Sequence, residues 1–235
     1  LHIHGGGYVV GKPEMMDAAN RRLALDVGCV VASVDYRLAP ETRAPGSVED
    51  CYAALLWLHG TAAARGVDPD RIAIGGESAG GGLAAALALL ARDRGEVRPV
   101  LQLLTYPMLD DRTARNENPH PYTGEFLWTA ASNGFGWASL LGDNPAALSP
   151  YAVPARAASL VGLPPACITT GALDLFLEED VDYAIRLTRA GVATELHVYP
   201  GAYHGFDVTA PESEVARAMR GDLLAAFRRA FRLRQ

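Results

Sequence analysis

The chain is short of positive charge, of cysteine and of long apolar runs, and each shortage removes a class of function. Its 235 residues hold 21 Lys and Arg against 27 Asp and Glu, a formal net charge of −6. A phosphate-binding face needs an excess of Lys and Arg, so nucleic acid is not an expected partner. The one basic cluster, Arg228, Arg229, Arg232 and Arg234, falls on the polar side of a C-terminal pattern whose apolar side holds Leu223, Leu224, Phe227 and Phe231. It reads as the solvated face of a last helix. No apolar run reaches membrane-spanning length, so stable membrane insertion is not expected. Cys29, Cys51 and Cys167 are odd in number and lack metal-ligand spacing. They read as small buried hydrophobes, two in strands and one in a helix, in a reducing compartment, with the cytoplasm the expected location. No metal and no cofactor are expected. There is no Walker-type G-x-x-x-x-G-K-[ST] loop, no internal repeat and no low-complexity linker.

What is present is an alternation of strand and helix patterns. Strands are expected near 1–3, 29–34, 71–75, 100–105, 166–170 and 194–199, and helices near 13–27, 46–60, 79–93, 178–190 and 212–231. Gly28, Gly95 and Gly191 stand where helix ends need them. The pattern predicts an α/β fold, a mostly parallel sheet with helices on both faces, in a single domain over 1–235. Residues 109–160 break the alternation as an excursion. They carry Pro119, Pro121, Pro145, Pro150 and Pro154 among Tyr122, Phe126, Trp128, Phe135 and Trp137. Two readings stay open: the aromatics build a small apolar core of their own, or one or two of them line a substrate pocket.

Gly76-Glu77-Ser78-Ala79-Gly80 is a G-x-S-x-G between an apolar strand pattern and a helix pattern. In that setting the motif is a nucleophile elbow, with Ser78 raised on a cramped turn. Flanking glycines are needed because a Cβ there would meet the neighbouring strand and helix. A serine hydroxyl needs a base, the base needs an orienting acid, and the reaction needs donors for an oxyanion. His204, in Tyr203-His204-Gly205-Phe206 just past the strand pattern at 194–199, is the expected base. Asp174 directly follows the strand pattern at 166–170 and is the expected acid, with Glu178 the alternative. Glu178, Glu179 and Asp180 read together as the acidic first turn of a helix. The opening His4-Gly5-Gly6-Gly7 follows a short apolar strand, and the N–H groups of Gly6, Gly7 and Ala79 are the expected oxyanion donors. His4 is expected to brace that loop.

Taken with Asp35-Tyr36-Arg37-Leu38-Ala39-Pro40-Glu41, these segments resemble the hormone-sensitive-lipase-like carboxylesterases of the α/β-hydrolase fold, in the same order and over nearly the whole chain. The resemblance implies a serine carboxylesterase acting on small esters, with a preference for short acyl chains. It implies Ser78 as nucleophile, His204 as base, Asp174 as orienter, and Gly6, Gly7 and Ala79 as the oxyanion hole. Other acyl hydrolases on this fold (amidase, peptidase, thioesterase) and a non-catalytic hydrolase-fold binding protein are the alternatives. Three departures stand out. Glu77 replaces the usual Asp or Thr before the serine and is expected to make supporting hydrogen bonds. The acid segment Asp174-Leu175-Phe176 lacks the usual proline after the acid. Finally, the helical cap and two strands that usually precede the glycine loop are not in this sequence. The expectation is therefore an N-terminally truncated fold, active or inactive, with the 29–34 strand at a sheet edge and the chain self-associating into a homo-oligomer.

Overall fold

The computed structural model describes residues 1–143 and 148–232; Pro145 and Arg234 lie outside them. Six strands form one sheet: β1 (His2–Ile3), β2 (Ser33–Val34), β3 (Ala73–Glu77), β4 (Leu101–Thr105), β5 (Ala166–Gly171) and β6 (Thr194–Tyr199). The order is β2-β1-β3-β4-β5-β6 and every neighbouring pair is parallel. A parallel sheet is covered on both faces, so its strands are apolar on both sides. Alternate residues divide accordingly. Ala73, Leu101, Leu103 and Cys167 pack toward one face, and Ile74, Leu104 and Ile168 join the main core on the other.

Helices α1 (Asp17–Val27), α2 (Gly46–Thr61), α3 (Ala79–Arg94), α4 (Ala130–Leu141), α5 (Leu177–Arg189), α6 (Phe206–Thr209) and α7 (Glu214–Ala230) complete the fold. Helix α3 is the central one. Its run of small and apolar residues is buried on all sides from Ala79 to Ala91, the pattern of a helix enclosed by its neighbours. Gly95 then ends it in the left-handed conformation (φ 75°), donating its N–H to Ala91 O. Helices α2, α3 and α5 contribute to the main core, while Leu223, Ala226 and Phe227 of α7 cover the opposite face.

Three expectations are corrected. The strand expected at 29–34 is reduced to Ser33–Val34, because β1 pairs it only from His2↔Ser33 onward. Cys29 accordingly lies outside any strand and is half-buried. The helix expected at 13–27 opens as a 3-10 turn over Pro13–Met16. Among the described residues the excursion at 109–160 shows no separate apolar core: Leu109, Trp137, Leu140 and Val153 join the main one. It also contains α4, which the sequence reading did not anticipate, begun by Thr129 accepting the Ser132 N–H at 3.3 Å.

Candidate active site

The elbow follows from backbone crowding. Ser78 sits between the last residue of β3 and the first of α3 with φ 59° and ψ −122°. For a non-glycine residue this region costs about 1–3 kcal/mol and persists only where its surroundings enforce it. The enforcement is visible. The Ser78 N–H donates to Thr105 O at 2.9 Å, and Ser78 O accepts from Gly82 and Met108 at 2.9 and 3.0 Å. A Cβ on Gly76 would stand 2.1 Å from Ile3 O, and one on Gly80 would stand 2.0 Å from the same atom. Both flanking glycines are required by the close approach of β1. The Ser78 side chain makes no capping bond to α3, so its hydroxyl is free for another partner.

That partner is His204. Its Nε2 lies 2.9 Å from Ser78 Oγ and its Nδ1 lies 2.9 Å from Asp174 Oδ2. The three residues come from turns after β3, β5 and β6, all at the C-terminal ends of the parallel strands, where such sheets gather their functional groups. Asp174 is fully buried, and its Oδ1 accepts the Phe176 N–H at 3.0 Å. That side-chain turn shapes the acid loop without the proline. Glu178 is exposed and the structure does not bring it to His204. The imidazole is also packed: the edges of Tyr106 and Phe176 meet it with ring centroids 4.8 and 5.1 Å away.

The glycine loop passes directly beside the elbow. A Cβ on Gly5 would lie 2.9 Å from Glu77 O and 3.4 Å from the Ser78 Cβ. Gly6 (φ 125°) and Gly7 (φ 58°) turn the chain there. The N–H groups of Gly6, Gly7 and Ala79 have no acceptor among the described residues. His4 does brace the loop. It is buried, its Nδ1 is 2.8 Å from Gly5 O, and its ring stacks on Tyr36. Burial lowers its pKa, so the ring is held neutral. Glu77 makes the expected supporting bonds: its carboxylate oxygens lie 3.1 and 3.0 Å from His2 Nε2.

Sequence reasoning missed several residues around this centre. Trp128, from the excursion, covers the glycine loop: a Cβ on Gly7 would meet its ring at 2.2 Å, and its ring centroid is 6.1 Å from that of His204. Its position in an aromatic-rich segment was the only signal. Tyr106 donates its hydroxyl to Asp207 Oδ1 at 2.6 Å beneath His204, and burial raises the Asp207 pKa. Glu179 and Asp180 stand in the acidic first turn expected of them, and both are buried. Burial pushes Glu179 up to about 8 and Asp180 well above the ordinary carboxylate range. Possible metal ligands among the described residues come together at Cys167, Glu195 and His197. Arg229 already donates to both oxygens of Glu195 at 2.5 Å there. Among the described residues no helix is long and apolar enough to cross a membrane.

Comparison with known proteins gives the family. The alpha/beta hydrolase fold family matches residues 1–208. The carboxylic ester hydrolase LipN of Mycobacterium tuberculosis is 40% identical over 214 residues, covering 88% of this chain; the chain spans 56% of LipN. The carboxylesterase NlhH of the same species is 38% identical over 240 residues, covering 98% of this chain and 73% of NlhH. Among solved structures, a bacterial heroin esterase superposes with a TM-score of 0.92 at 43% identity, over 100% of this chain and 74% of that one. A hyperthermophilic esterase from the archaeon Pyrobaculum calidifontis gives 0.88 at 39% identity, over 96% and 74%. With the family model matching residues 1–208 and carboxylesterase relatives at 38–40% identity over most of its length, the chain belongs to the hormone-sensitive-lipase-like carboxylesterases of the alpha/beta hydrolase fold.

Proposed function

We propose that this chain is a serine carboxylesterase that hydrolyses short-chain esters through an acyl-enzyme, with Ser78, His204 and Asp174 acting together. The observation that carries the reading is the pair of 2.9 Å contacts running from Ser78 Oγ through the imidazole to Asp174. His204 Nε2 takes the hydroxyl proton as Ser78 Oγ attacks the ester carbonyl carbon. Asp174 holds the Nδ1 proton and stabilises the imidazolium. The carbonyl oxygen becomes an oxyanion that the N–H groups of Gly6, Gly7 and Ala79 receive. A donor of this kind contributes about 3–4 kcal/mol to barrier reduction. His204 returns the proton to the leaving alcohol, then activates a water that releases the acid. None of these steps calls on a cofactor.

The short-chain preference rests on the family and on Trp128, whose bulk over Gly7 narrows the space beside the oxyanion loop. The sheet edge at Ser33–Val34 supports self-association. Three free cysteines, two of them buried, fit a reducing compartment such as the cytoplasm.

The test is a serine-directed p-nitrophenyl phosphonate followed by peptide mapping, with Ser78→Ala assayed on p-nitrophenyl butyrate. Label on Ser78 and a fall in turnover of about 10⁴-fold or more are expected. Asp174→Asn is expected to cost about 10³-fold or more, and Glu178→Gln less than about twofold. Unchanged turnover in Ser78→Ala overturns the proposal.

A further inference from the structure

Glu179 lies in the first turn of α5, five positions after Asp174, and its carboxyl is buried. Its Oε1 accepts the N–H of Leu109 at 2.7 Å and of Asp110 at 3.2 Å, and its Oε2 bonds the Thr113 hydroxyl. It thereby fixes the chain that leaves β4. That same stretch holds two parts of the site. The Met108 N–H donates to Ser78 O at 3.0 Å, and Met108 O accepts the Tyr8 hydroxyl at 2.9 Å, directly after the Gly5–Gly7 loop. On its other side, α5 opens from the Asp174 turn: the Leu177 N–H donates to Asp174 O at 3.2 Å, and the Asp180 N–H donates to Phe176 O at 2.9 Å. Segment 108–113 therefore touches the elbow and the oxyanion loop, and Glu179 is its tie to the helix that carries the acid loop.

We propose that Glu179 is a positioning residue, whose carboxyl locks segment 108–113 onto α5 and so sets the spacing between Ser78, the Gly6–Gly7 loop and the Asp174–His204 pair. The idea rests on the reading of Ser78, Asp174 and His204 given above and deepens it. Misplacement by about 1 Å at a reacting centre costs on the order of 10²-fold in rate, so a junction between three site elements has leverage on turnover. The chemistry of the buried group defines the bonds. With its pKa raised to about 8 by burial, the carboxyl keeps its proton near neutrality. Oε1 accepts from both amides, and Oε2 accepts the Thr113 hydroxyl. A glutamine side chain has the same shape: its carbonyl oxygen serves both amides, and its N–H meets Thr113 Oγ1 once the rotatable hydroxyl turns to accept.

The experiment measures kcat and KM on p-nitrophenyl butyrate, phosphonate labelling rate and melting temperature for wild type, Glu179→Gln, Glu179→Ala, Thr113→Val and Ser78→Ala. Glu179→Gln is expected to keep kcat within about threefold, while Glu179→Ala loses about 30-fold or more with KM changed by less than about threefold. Labelling of Ser78 slows in parallel with kcat. Thr113→Val, which cuts one contact on a partly exposed turn, is expected to lower kcat about three- to tenfold and serves if the alanine variant does not fold. The proposal is overturned if a folded Glu179→Ala keeps wild-type kcat, if Glu179→Gln is as damaged as alanine, or if Thr113→Val leaves kcat unchanged. Full turnover in Ser78→Ala overturns the underlying site instead, so the two failures are distinct.

Discussion

The Tyr36 hydroxyl donates to the backbone carbonyl oxygen of His4 at 2.9 Å, while the rings of the two residues stack with centroids 4.3 Å apart. Two segments more than thirty positions apart in sequence are thereby joined at the root of the glycine loop. A further bond, from the Ala39 N–H to Tyr8 O at 2.9 Å, fastens the far end of that loop to the same Tyr36-Arg37-Leu38-Ala39 segment. Tyr36→Phe keeps the stack and removes one hydroxyl, leaving a buried carbonyl without its partner. Loss of such a bond costs about 1–3 kcal/mol. The expected result is a lower melting temperature, read by calorimetry, and a kcat decline larger than any change in KM. An unchanged melting temperature would show that the bond contributes nothing to holding the loop.

The glycines of the elbow separate close approach from mere helix composition. Gly80→Ala places a methyl 2.0 Å from Ile3 O and 2.6 Å from His4 O, both backbone atoms. Neither can move without shifting β1, so the substitution is expected to destabilise by about 3 kcal/mol or more, or to prevent folding. Gly221, inside α7, has nothing within 4 Å of its would-be Cβ. Gly221→Ala is expected to stabilise by about 0.5–1 kcal/mol through helix propensity. Urea titrations of both variants compare the two directly; similar effects would remove the argument from β1.

Local chemistry explains why so much of the candidate site was legible. An elbow needs glycine, serine, glycine at fixed spacing, and an oxyanion loop needs consecutive glycines after a strand. Asp174 and His204 each follow an apolar run at the strand ends. The six strands and most helices were likewise set by runs of apolar residues and their glycine ends. What escaped was long-range and polar. Glu179 has the local signature of an acid near a helix N-terminus, and only tertiary packing reveals that its partners are amides some seventy positions away. Tyr106 reads as a residue after a strand, and its bond to Asp207 spans 101 positions. The 29–34 strand was overdrawn because apolar composition sets a preference for pairing, while a ladder requires a neighbour in register.

Glu179 also gives a pH dependence with a definite sign. Its pKa rises from an ordinary 4.5 to about 8 on burial. Between those values the unfolded chain has released this proton and the folded chain still holds it. Stability contributed by the group is therefore full below about 4.5 and falls as pH rises toward about 8, by on the order of a few kcal/mol. The nearby Asp110 carboxylate, itself paired with Arg112, adds to the rise at Glu179, and Glu179 in turn adds to the rise at the buried Asp180. Glu179→Gln cannot titrate, so its stability relative to wild type is expected to climb across that window. Chemical denaturation of both proteins at a series of pH values measures the slope; parallel curves would place the carboxyl's ionisation outside it.

Trp128 gives a prediction about substrate. Its indole occupies the space a Gly7 side chain would need and stands beside His204. Its ring nitrogen reaches Asn133 Oδ1 at 3.4 Å, which sets the ring's orientation. Trp128→Ala opens volume next to the reacting centre. In a p-nitrophenyl ester series from acetate to dodecanoate, the optimum is expected to move toward longer acyl chains, with kcat/KM for the short esters falling about tenfold as positioning is lost. An unchanged optimum would place the limit on acyl length elsewhere in the excursion.

The exposed side of the sheet leads to the last expectation. Among the described residues β2 is the edge of the sheet, next to β1 only, with no strand paired on its outer side. The preceding Val30 is 54% exposed. Close by, a cavity of about 990 Å³ opens between α1, α7 and the sheet, lined by apolar residues such as Leu23, Val27, Met219 and Phe227. Edge strands of this kind are usually shielded by Lys, Pro or a bulge, and the stretch Cys29–Val34 has neither Lys nor Pro. Self-association through this edge is the expected behaviour. Size exclusion coupled to light scattering should give a mass well above 25.0 kDa that shifts downward in Val30→Lys, where a charge is set just before the free edge. A monodisperse monomer at high concentration, with the same mass in the lysine variant, would show that two residues of exposed ladder are too short to recruit a partner.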